Sequence, residues 1–284
     1  MTSSELSLLA VQPHPDDESI TMGGTLARYS AEGIRTTLVT ATRGEVGEIL
    51  DKDLDPVEAA PRLASIREAE LRTACEIMGV GELVFLDYED SGMAGLPRNH
   101  EPRTFWQADE EEAIARLIAV IRRVRPQVIA TQNEVGGYGH PDHIMTHRVA
   151  IGAFYNADNV ERFPAGEPFK PSKLYYTAFP RSLMKEMGEA MKRAGMENRF
   201  STDDEPPAFT VSDDRISAWL DVSPYLAVKI RAMQAHKTQI PPDSWFMKLR
   251  DALGDRAWRL EAYERVRSTV EPPLPEDDLF AGLR

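Results

Sequence analysis

Two short segments of the chain concentrate the residue types that can do chemistry. Residues 13–18 read Pro-His-Pro-Asp-Asp-Glu, so an imidazole and three carboxylates lie within five positions. Residues 135–148 add one more carboxylate and three more imidazoles, from Asp142, His140, His143 and His147. Crowded carboxylates are costly unless a cation or a role in proton transfer compensates them. Nitrogen and oxygen donors at this spacing suit a divalent metal such as zinc, and Asp16, between His14 and Asp17, could act as a base on water.

The spacing of these residues also leaves plainer interpretations open. Asp17 and Glu18 could begin a helix by placing negative charge at its amino end. His143 and His147, four positions apart, could share one helical face, whereas His140 and His143 bracket a Pro-Asp pair. Spacing alone does not decide which histidine binds a metal. We expect His147 to be a surface histidine or one satisfied by an internal hydrogen bond.

The elements that must position both segments are predicted from apolar runs. Four short β-rich runs, each followed by a loop with acidic, glycine or histidine residues, are predicted strands at 8–11, 36–42, 83–86 and 128–131. Helical patterns separate them at 23–33, 57–78 and 110–124. This alternation predicts an α/β fold with a mostly parallel sheet flanked by helices, and chemistry at the carboxyl ends of the strands.

The pattern is weaker after residue 150. The helix after the second segment continues over 150–155, and the further predicted elements are strands at 173–179, 208–211 and 218–222 and helices at 181–194 and 225–235. His236 either lines the far side of the pocket or caps the last helix, and we prefer the cap. Residues 95–109 predict a mobile loop that borders the pocket, and the Pro- and acid-rich residues 271–284 predict a tail that is poorly ordered or lies over the surface.

Composition excludes several classes of protein. A net charge of −13, from 33 basic and 46 acidic residues, disfavours a nucleic-acid partner. No apolar run approaches 18 residues and no basic leader precedes one, so we expect neither a membrane span nor secretion, and a cytoplasmic protein. The lone Cys75 predicts a small buried hydrophobe and excludes a disulfide scaffold. The glycine pattern does not match a dinucleotide-binding loop.

Five motifs together resemble one known family. They are PHPDDE at 13–18, TRGEVGE at 42–48, Arg67 in SIREAEL, DSGM at 90–93 and GGYGHPDH at 136–143. In kind and order they are similar to the PIG-L/LmbE-like family of zinc-dependent N-acetylglucosamine deacetylases, which includes the mycothiol-pathway deacetylase and the mycothiol S-conjugate amidase. The resemblance implies a Rossmann-like catalytic core, placed at residues 1–155, with a smaller α+β part, 156–284, packed on the same core as one domain.

The resemblance also implies a role for each motif residue. The implied zinc ligands are His14, Asp17 and His143, with Fe²⁺ or Co²⁺ as other candidate metals. Asp16 would activate the attacking water, Tyr138 would stabilise the oxyanion, and His140 would protonate the leaving amine while Asp142 orients its ring or tunes its pKa. The implied contacts to sugar hydroxyls are Glu48, Arg67 and Asp90.

The sequence therefore predicts a metal-dependent amidohydrolase that deacetylates an N-acetylglucosaminyl conjugate, a small-molecule partner. Assembly into a homo-oligomer is left open. The alternative within the same chemistry is an amidase that cleaves a thiol S-conjugate. The alternative of another class is a non-catalytic sugar- or metal-binding protein, against which the presence of both Asp16 and His140 argues, because a binder needs neither a base nor an acid.

Overall fold

The computed structural model describes residues 5–193, 195, 207 and 209–284. Eight strands form one sheet in the order β3-β2-β1-β4-β5-β8-β7, with β6 paired to β5 off this path. The strands are β1 (Ser7–Gln12), β2 (Arg35–Thr40), β3 (Glu82–Phe85), β4 (Val128–Thr131), β5 (Lys173–Pro180), β6 (Thr210–Val211), β7 (Ala218–Asp221) and β8 (Leu260–Ser268). Only β8 runs antiparallel, to both β5 and β7. The expected α/β fold with a mostly parallel sheet is confirmed.

Helices cover both faces of this sheet. One face packs against α1 (Asp17–Ala31), α3 (Leu63–Met78) and α8 (Leu226–Ala235), and the other against α4 (Glu110–Val124) and α6 (Pro141–Asn156). Strand β1 is buried along its whole length, as expected when both faces of a parallel sheet are covered. The remaining helices are α2 (Pro56–Ala59), α5 (Gly136–Gly139), α7 (Arg181–Arg193) and α9 (Trp245–Leu253). Among the described residues, no helix is both long and apolar enough to span a membrane.

The strand order reverses between β1 and β4. From β1 the chain proceeds to β2 and then β3 on one side, whereas β4 pairs with the other edge of β1. The loops after β1 and β4 therefore open on the same crevice, where ligands bind in open α/β sheets. These two loops carry the two motif segments, 13–18 and 135–148.

Two predicted helices differ in detail from the structure. The pattern over 57–78 is divided into α2 and α3 by a 3₁₀ turn at Ala60–Arg62, because Pro61 has no N–H for a helical hydrogen bond. Helix α1 begins at Asp17 rather than at Gly23 and is broken at Met22 (φ −149°, ψ 20°). Three elements, α5, α9 and β8, were not predicted at all.

The prediction for the tail is wrong. Leu279 and Phe280 are fully buried in the core beside Tyr29, and Glu276 accepts a hydrogen bond from the buried Lys173 (2.8 Å). Two apolar residues and one carboxylate with a buried partner are enough to fix a segment whose composition is otherwise that of a loop. Strands β5, β7 and β8 extend the sheet of the first half, while the division near residue 155 stays a prediction. Residues 194 and 208, where two predicted elements end or begin, lie outside the described residues.

Candidate metal centre and active site

The loop after β1 holds the first group of ionisable side chains in a strained turn. Asp16 has φ 119° and ψ −34°, a conformation that residues other than glycine rarely adopt and that concentrates at functional sites. Its backbone N–H donates to Glu18 Oε2 (2.9 Å), and its carbonyl accepts from Ser19 and Ile20 (both 3.1 Å). The turn therefore starts helix α1 and also presents Asp16 and Asp17 at the crevice, so both interpretations of the motif hold.

Asp17 lies between two histidines that come from opposite sides of the crevice. Its Oδ2 is 3.5 Å from His14 Nδ1 and 3.4 Å from His143 Nε2. A tetrahedral zinc with bonds of about 2.0–2.1 Å separates its ligand atoms by about 3.3 Å. The two distances from Asp17 to the histidines thus match the separation that such an ion requires.

Asp142 fixes the ring of His14. It is fully buried, and its Oδ2 lies 3.1 Å from His14 Nε2, while Ser91 donates to it from its backbone N–H (2.9 Å) and from its hydroxyl. A carboxylate on the far nitrogen of a histidine leaves the other nitrogen available to a metal. Towards His140, in contrast, Asp142 offers its backbone N–H, which donates to Nδ1 (3.1 Å).

His140 faces a second buried carboxylate. Its Nε2 is 4.0 Å from Asp90 Oδ1, which also lies 3.7 Å from His14 Nε2. Burial, together with the neighbouring His14 and His143, lowers the pKa of His140 to about 4. Burial alone would raise the pKa of Asp90, but the charge and hydrogen bond of His14, the Gly92 N–H and the charge of His140 together outweigh it and lower that pKa. Because Nδ1 accepts a hydrogen bond, the proton of neutral His140 resides on Nε2.

Tyr138 lies in a turn formed by three glycines whose backbone conformation favours glycine. Gly136, Gly137 and Gly139 have φ of 60°, 62° and 86°, and a Cβ at Gly136 would lie 2.8 Å from His143 Cβ. The phenol oxygen is 3.4 Å from His143 Nε2, although Tyr138 is 56% exposed. A side chain of this kind can reach the metal ligands from the mouth of the crevice.

Arg67 is buried and connects two of the motif loops. Its Nη1 donates to Gly44 O (2.7 Å) and its Nη2 to Pro15 O (2.5 Å), and Nη2 is 3.4 Å from Asp16 Oδ2. A Cβ at Gly44 (φ +63°) would lie 2.1 Å from Nη1, so this contact requires glycine. Burial raises the pKa of Asp16 to about 7, although Arg67 opposes the shift.

Comparison with known proteins identifies the family of the chain. A family model described as GlcNAc-PI de-N-acetylase (PIG-L) matches residues 9–154. The chain is also 45% identical, over 97% of its own length and 97% of the relative's, to the 1D-myo-inositol 2-acetamido-2-deoxy-α-D-glucopyranoside deacetylase of Geodermatophilus obscurus. The chain belongs to the PIG-L family. The expected activity, metal-dependent deacetylation of an N-acetylglucosaminyl conjugate, is confirmed.

Solved structures support the fold of this PIG-L protein but not its reaction. The N,N'-diacetylchitobiose deacetylase of Pyrococcus horikoshii aligns with a TM-score of 0.63 at 20% identity, over 92% of this chain and 84% of that one. GalB, a 4-carboxy-2-hydroxymuconate hydratase of Pseudomonas putida, aligns almost as well, with a TM-score of 0.60 at 19% identity, over 95% and 99%. One fold therefore carries both a deacetylase and a hydratase, and the reaction must be argued from the site.

The three residues expected to contact sugar hydroxyls differ in burial and in position. Arg67 and Asp90 lie in the buried cluster, whereas the side chain of Glu48 is exposed and its backbone carbonyl accepts from Gln239 (3.0 Å). Glu45, which sequence reasoning missed, accepts a hydrogen bond from Asp90 N–H (2.8 Å). Its position in the same TRGEVGE motif as Glu48 could have indicated Glu45 as a site residue.

The two remaining histidines of interest are both internally bonded. His236 is fully buried, with Nε2 2.7 Å from Glu18 Oε1. Burial alone would lower the pKa of His236, but the charge and hydrogen bond of Glu18, with the charges of Asp16 and Glu70, together outweigh it and raise that pKa. His236 thus supports, through Glu18, the turn at Asp16. His147 is 3.2 Å from the carbonyl of Gln132, as the plainer interpretation expects.

An apolar cavity of about 300 Å³ adjoins the cluster. Asp17, Tyr138 and His143 line one end of it. The rest of the cavity is lined mainly by residues beyond 155. Among the residues that the structure describes, none in the loop 95–109 lines the cavity. That loop instead packs beside Ser91, whose hydroxyl accepts from Trp106 N–H (2.9 Å).

Proposed function

We propose that this protein hydrolyses the acetamide of 1D-myo-inositol 2-acetamido-2-deoxy-α-D-glucopyranoside, or of a closely similar conjugate, with a zinc ion held by His14, Asp17 and His143. The main support for the proposal is that the Asp17 carboxylate lies 3.4–3.5 Å from a ring nitrogen of both His14 and His143. Asp17 directly follows the strained Asp16. The choice of substrate is supported by the name of the relative from G. obscurus, which matches almost the full length of both chains.

His140 is the competing third ligand. Ligand nitrogens of His14, His140 and His143 lie within 4.8 Å of one another, a group that does not include Asp17. We prefer Asp17 because His140 already accepts a backbone hydrogen bond at Nδ1 and faces Asp90 with Nε2. The ionisation states of two of the three ligands agree with this choice: His143 and His14 outweigh burial and lower the pKa of Asp17 to about 2, and burial lowers that of His143 to about 4. At His14, burial alone would lower the pKa, but Asp90, Asp142 and Asp17 together outweigh it and raise that pKa, so a metal there displaces a proton. A metal requires an ionised carboxylate and a neutral imidazole.

Zinc at this position would supply Lewis acidity towards the amide carbonyl and lower the pKa of water. The protein's own first step is proton removal. Asp16, with a pKa near 7, takes the proton of the attacking water as the C–O bond forms. Arg67 and the Glu18 carboxylate hold Asp16 in place for this role.

The later steps use the other side of the crevice. Desolvation of the phenol oxygen beside His143 and the charge of the nearby Asp17 raise the pKa of Tyr138, so the phenol stays protonated and donates a hydrogen bond to the tetrahedral oxyanion. We assign the proton for the leaving amine to His140. Its imidazole is neutral at rest and takes a proton from solvent when the negative charge of the tetrahedral state favours the protonated form; Asp16 returns the proton that it took from water to solvent after the amine has left. Collapse then breaks the C–N bond and releases acetate and the amine.

Metal content and amine release test this function together. We expect about one zinc per chain by elemental analysis, and release of primary amine from the inositol conjugate that stops on chelation and returns with zinc. Iron or cobalt in its place would change the metal but not the reaction. An Asp16→Asn variant that retains metal and loses turnover would separate a hydrolase from a metal- or sugar-binding protein. Absence of amine release from metal-replete wild type would reject the proposal.

A further inference from the structure

Ser91 is a fully buried residue of the DSGM motif to which neither the sequence nor the proposed mechanism gives a role. Both of its donors end on one group. Its backbone N–H donates to Asp142 Oδ2 (2.9 Å), and its hydroxyl donates to Asp142 Oδ1. Paired hydrogen bonds to the two oxygens of a carboxylate add geometric specificity to the contact. Ser91 therefore fixes the orientation of the Asp142 carboxylate as well as its position.

The direction of the Ser91 hydroxyl proton is also fixed. The backbone N–H of Trp106 donates to Ser91 Oγ (2.9 Å). A hydroxyl has one proton to donate and lone pairs that accept, and a backbone N–H cannot accept. The single proton of Ser91 is therefore directed at Asp142 Oδ1.

The loop 95–109 holds the segment that carries Ser91. Three successive carbonyls, those of residues 89–91, each accept a hydrogen bond from this loop. The donors are, in order, Phe105 N–H (2.8 Å), Arg98 Nε (2.7 Å) and Asn99 Nδ2 (2.7 Å). Together with the bond from Trp106, they make the loop a support for Ser91.

The carboxylate that Ser91 holds has two histidines within reach. Ligand atoms of His14, His140, Asp90 and Asp142 lie within 4.8 Å of one another. The carboxylate contacts His14, with Oδ2 3.1 Å from Nε2, whereas His140 accepts from the backbone N–H of Asp142. Because Ser91 donates to both oxygens, the carboxylate cannot turn towards His140 without losing these bonds. Ser91 thus determines which imidazole the carboxylate contacts.

We infer that Ser91 is a positioning residue for the metal centre: it holds the Asp142 carboxylate on His14 Nε2 and so keeps the other nitrogen of that ring directed at the metal. The inference rests on the proposed function, in which His14 is a metal ligand. It adds that Ser91, which is not a ligand, and the loop 95–109 behind it set the metal affinity. Residues that orient a ligand from behind commonly change metal affinity by about 10–100-fold.

The zinc affinity of Ser91 variants, measured by competition with a chelator, tests the inference. Ser91→Ala removes the hydroxyl donor and keeps the N–H, so the Kd for zinc should rise by about tenfold, the lower end of the usual range. Ser91→Thr keeps the hydroxyl and should bind zinc nearly as tightly as wild type. An unchanged Kd in a folded Ser91→Ala variant would overturn the inference.

Ser7→Ala is the matched control. Ser7 is buried like Ser91, but it lies at the amino end of β1, whereas His14 follows the carboxyl end of this strand. Within the described part of the chain, Ser7 Oγ has no hydrogen-bond partner. This variant should therefore keep the zinc Kd of wild type.

Proton NMR of the metal-free protein separates positioning from a general loss of stability. The Asp142 carboxylate shields the proton on His14 Nε2, and slow exchange with water reports such shielding. Wild type and Ser91→Thr should show a slowly exchanging ring N–H signal that is absent in His14→Gln, and Ser91→Ala should lose this signal at an unchanged far-ultraviolet circular dichroism spectrum. Retention of the signal in Ser91→Ala would contradict the inference.

Asn99→Ala tests whether the loop acts through Ser91. It removes the donor to the Ser91 carbonyl and leaves Ser91 and Asp142 themselves intact, so zinc binding should weaken by a smaller factor than in Ser91→Ala. Asn156→Ala, which removes a hydrogen bond to Gly152 O within α6 (2.8 Å), is the control and should bind zinc as wild type does. If neither Ser91 variant folds, Asn99→Ala still carries the test.

Failure of this inference is distinguishable from failure of the proposed function. Wild type that binds zinc and releases amine, with the same zinc Kd in every folded variant, would reject only the role of Ser91. Wild type that binds no zinc would reject the proposed function, while the His14 ring proton would still show whether Ser91 holds Asp142 in place.

Discussion

Two buried groups of charges in this molecule are built on opposite principles. The cluster at the crevice brings four carboxylates, Asp16, Asp17, Asp90 and Asp142, to three imidazoles. In the C-terminal part, each buried carboxylate instead has its own lysine: Glu276 pairs with Lys173 at 2.8 Å and Glu261 with Lys229 at 2.6 Å. Arg265 also pairs with Glu276, so the second arrangement has no excess negative charge, whereas the first does.

This difference in charge balance indicates which of the two groups has a chemical function. A buried ion pair that neutralises itself fixes the packing of distant segments and needs nothing further. A buried group with excess negative charge is stable only with a cation or with shared protons. The crevice cluster therefore indicates chemistry, while the lysine pairs indicate architecture, although both contain carboxylates of similar burial. Removing one residue at a time from each group tests this distinction.

The largest expected effect is on catalysis at Asp16. Asp16→Asn keeps the shape of the side chain and removes its ability to accept a proton, so kcat should fall by about 10²–10⁴-fold, with zinc content unchanged. The measurement is amine release together with elemental analysis of the same sample. Asp53→Asn, at an exposed position on another loop, is the control and should retain full activity. Turnover near wild type in Asp16→Asn would mean that another group is the base.

Removing a partner from a lysine pair should change stability instead. Glu276→Gln leaves the fully buried Lys173 without its counter-charge, which costs about 3–5 kcal/mol and lowers Tm by about 6–10 °C in a chain of this size. The specific activity of the folded protein should not change. Glu271→Gln, an exposed change in the same tail, should leave Tm unaffected.

A double variant checks that charge compensation is the cause. Adding Lys173→Met to Glu276→Gln removes the fully buried uncompensated charge, leaves only the partly exposed Arg265 without this partner, and should recover much of the lost stability. A Tm equal to wild type in Glu276→Gln alone would show that the tail is not held by this pair.

Asp142→Asn distinguishes two roles for one carboxylate. Its Oδ2 contacts His14, whereas the contact with His140 uses the backbone N–H. We therefore expect zinc affinity to fall about 10–100-fold, the usual effect of losing a carboxylate behind a metal-binding histidine. Competition with a chelator measures it. If zinc affinity is unchanged and only kcat falls, Asp142 acts on His140 instead.

The sequence predicted the structure best where the functional residues are close together in the chain. Strands β1 to β4 and the motif loops after them were predicted within about two residues, because buried parallel strands are continuous apolar runs and the loops carry their ligands at fixed short spacings. The contact between Asp17 and His143 follows from the parallel sheet, which brings the carboxyl ends of β1 and β4 together.

The C-terminal part was predicted less well for a physical reason. Strand β8 contains charged residues that read as surface, yet Glu261 is buried because Lys229 and the backbone N–H groups of Gly24 and Thr25 satisfy it. Such a partner, 32 residues away in one case and 237 in another, is invisible to any local pattern. The walls of the apolar cavity are equally non-local, since they combine α7, α9 and Trp258.

The smallest expected effect concerns Arg67, and its sign separates two roles. Arg67 lowers the pKa of Asp16, against the larger effect of burial. Arg67→Gln should therefore raise that pKa by about one unit or more. A higher pKa leaves more Asp16 protonated at neutral pH, so the acidic limb of kcat/KM moves to higher pH and activity on that limb falls about tenfold, while the plateau at high pH is kept. Arg72→Gln, at an exposed position on the same helix, should leave the profile in place. If Arg67 acted mainly by holding sugar hydroxyls, KM would rise equally at every pH and the limb would not move.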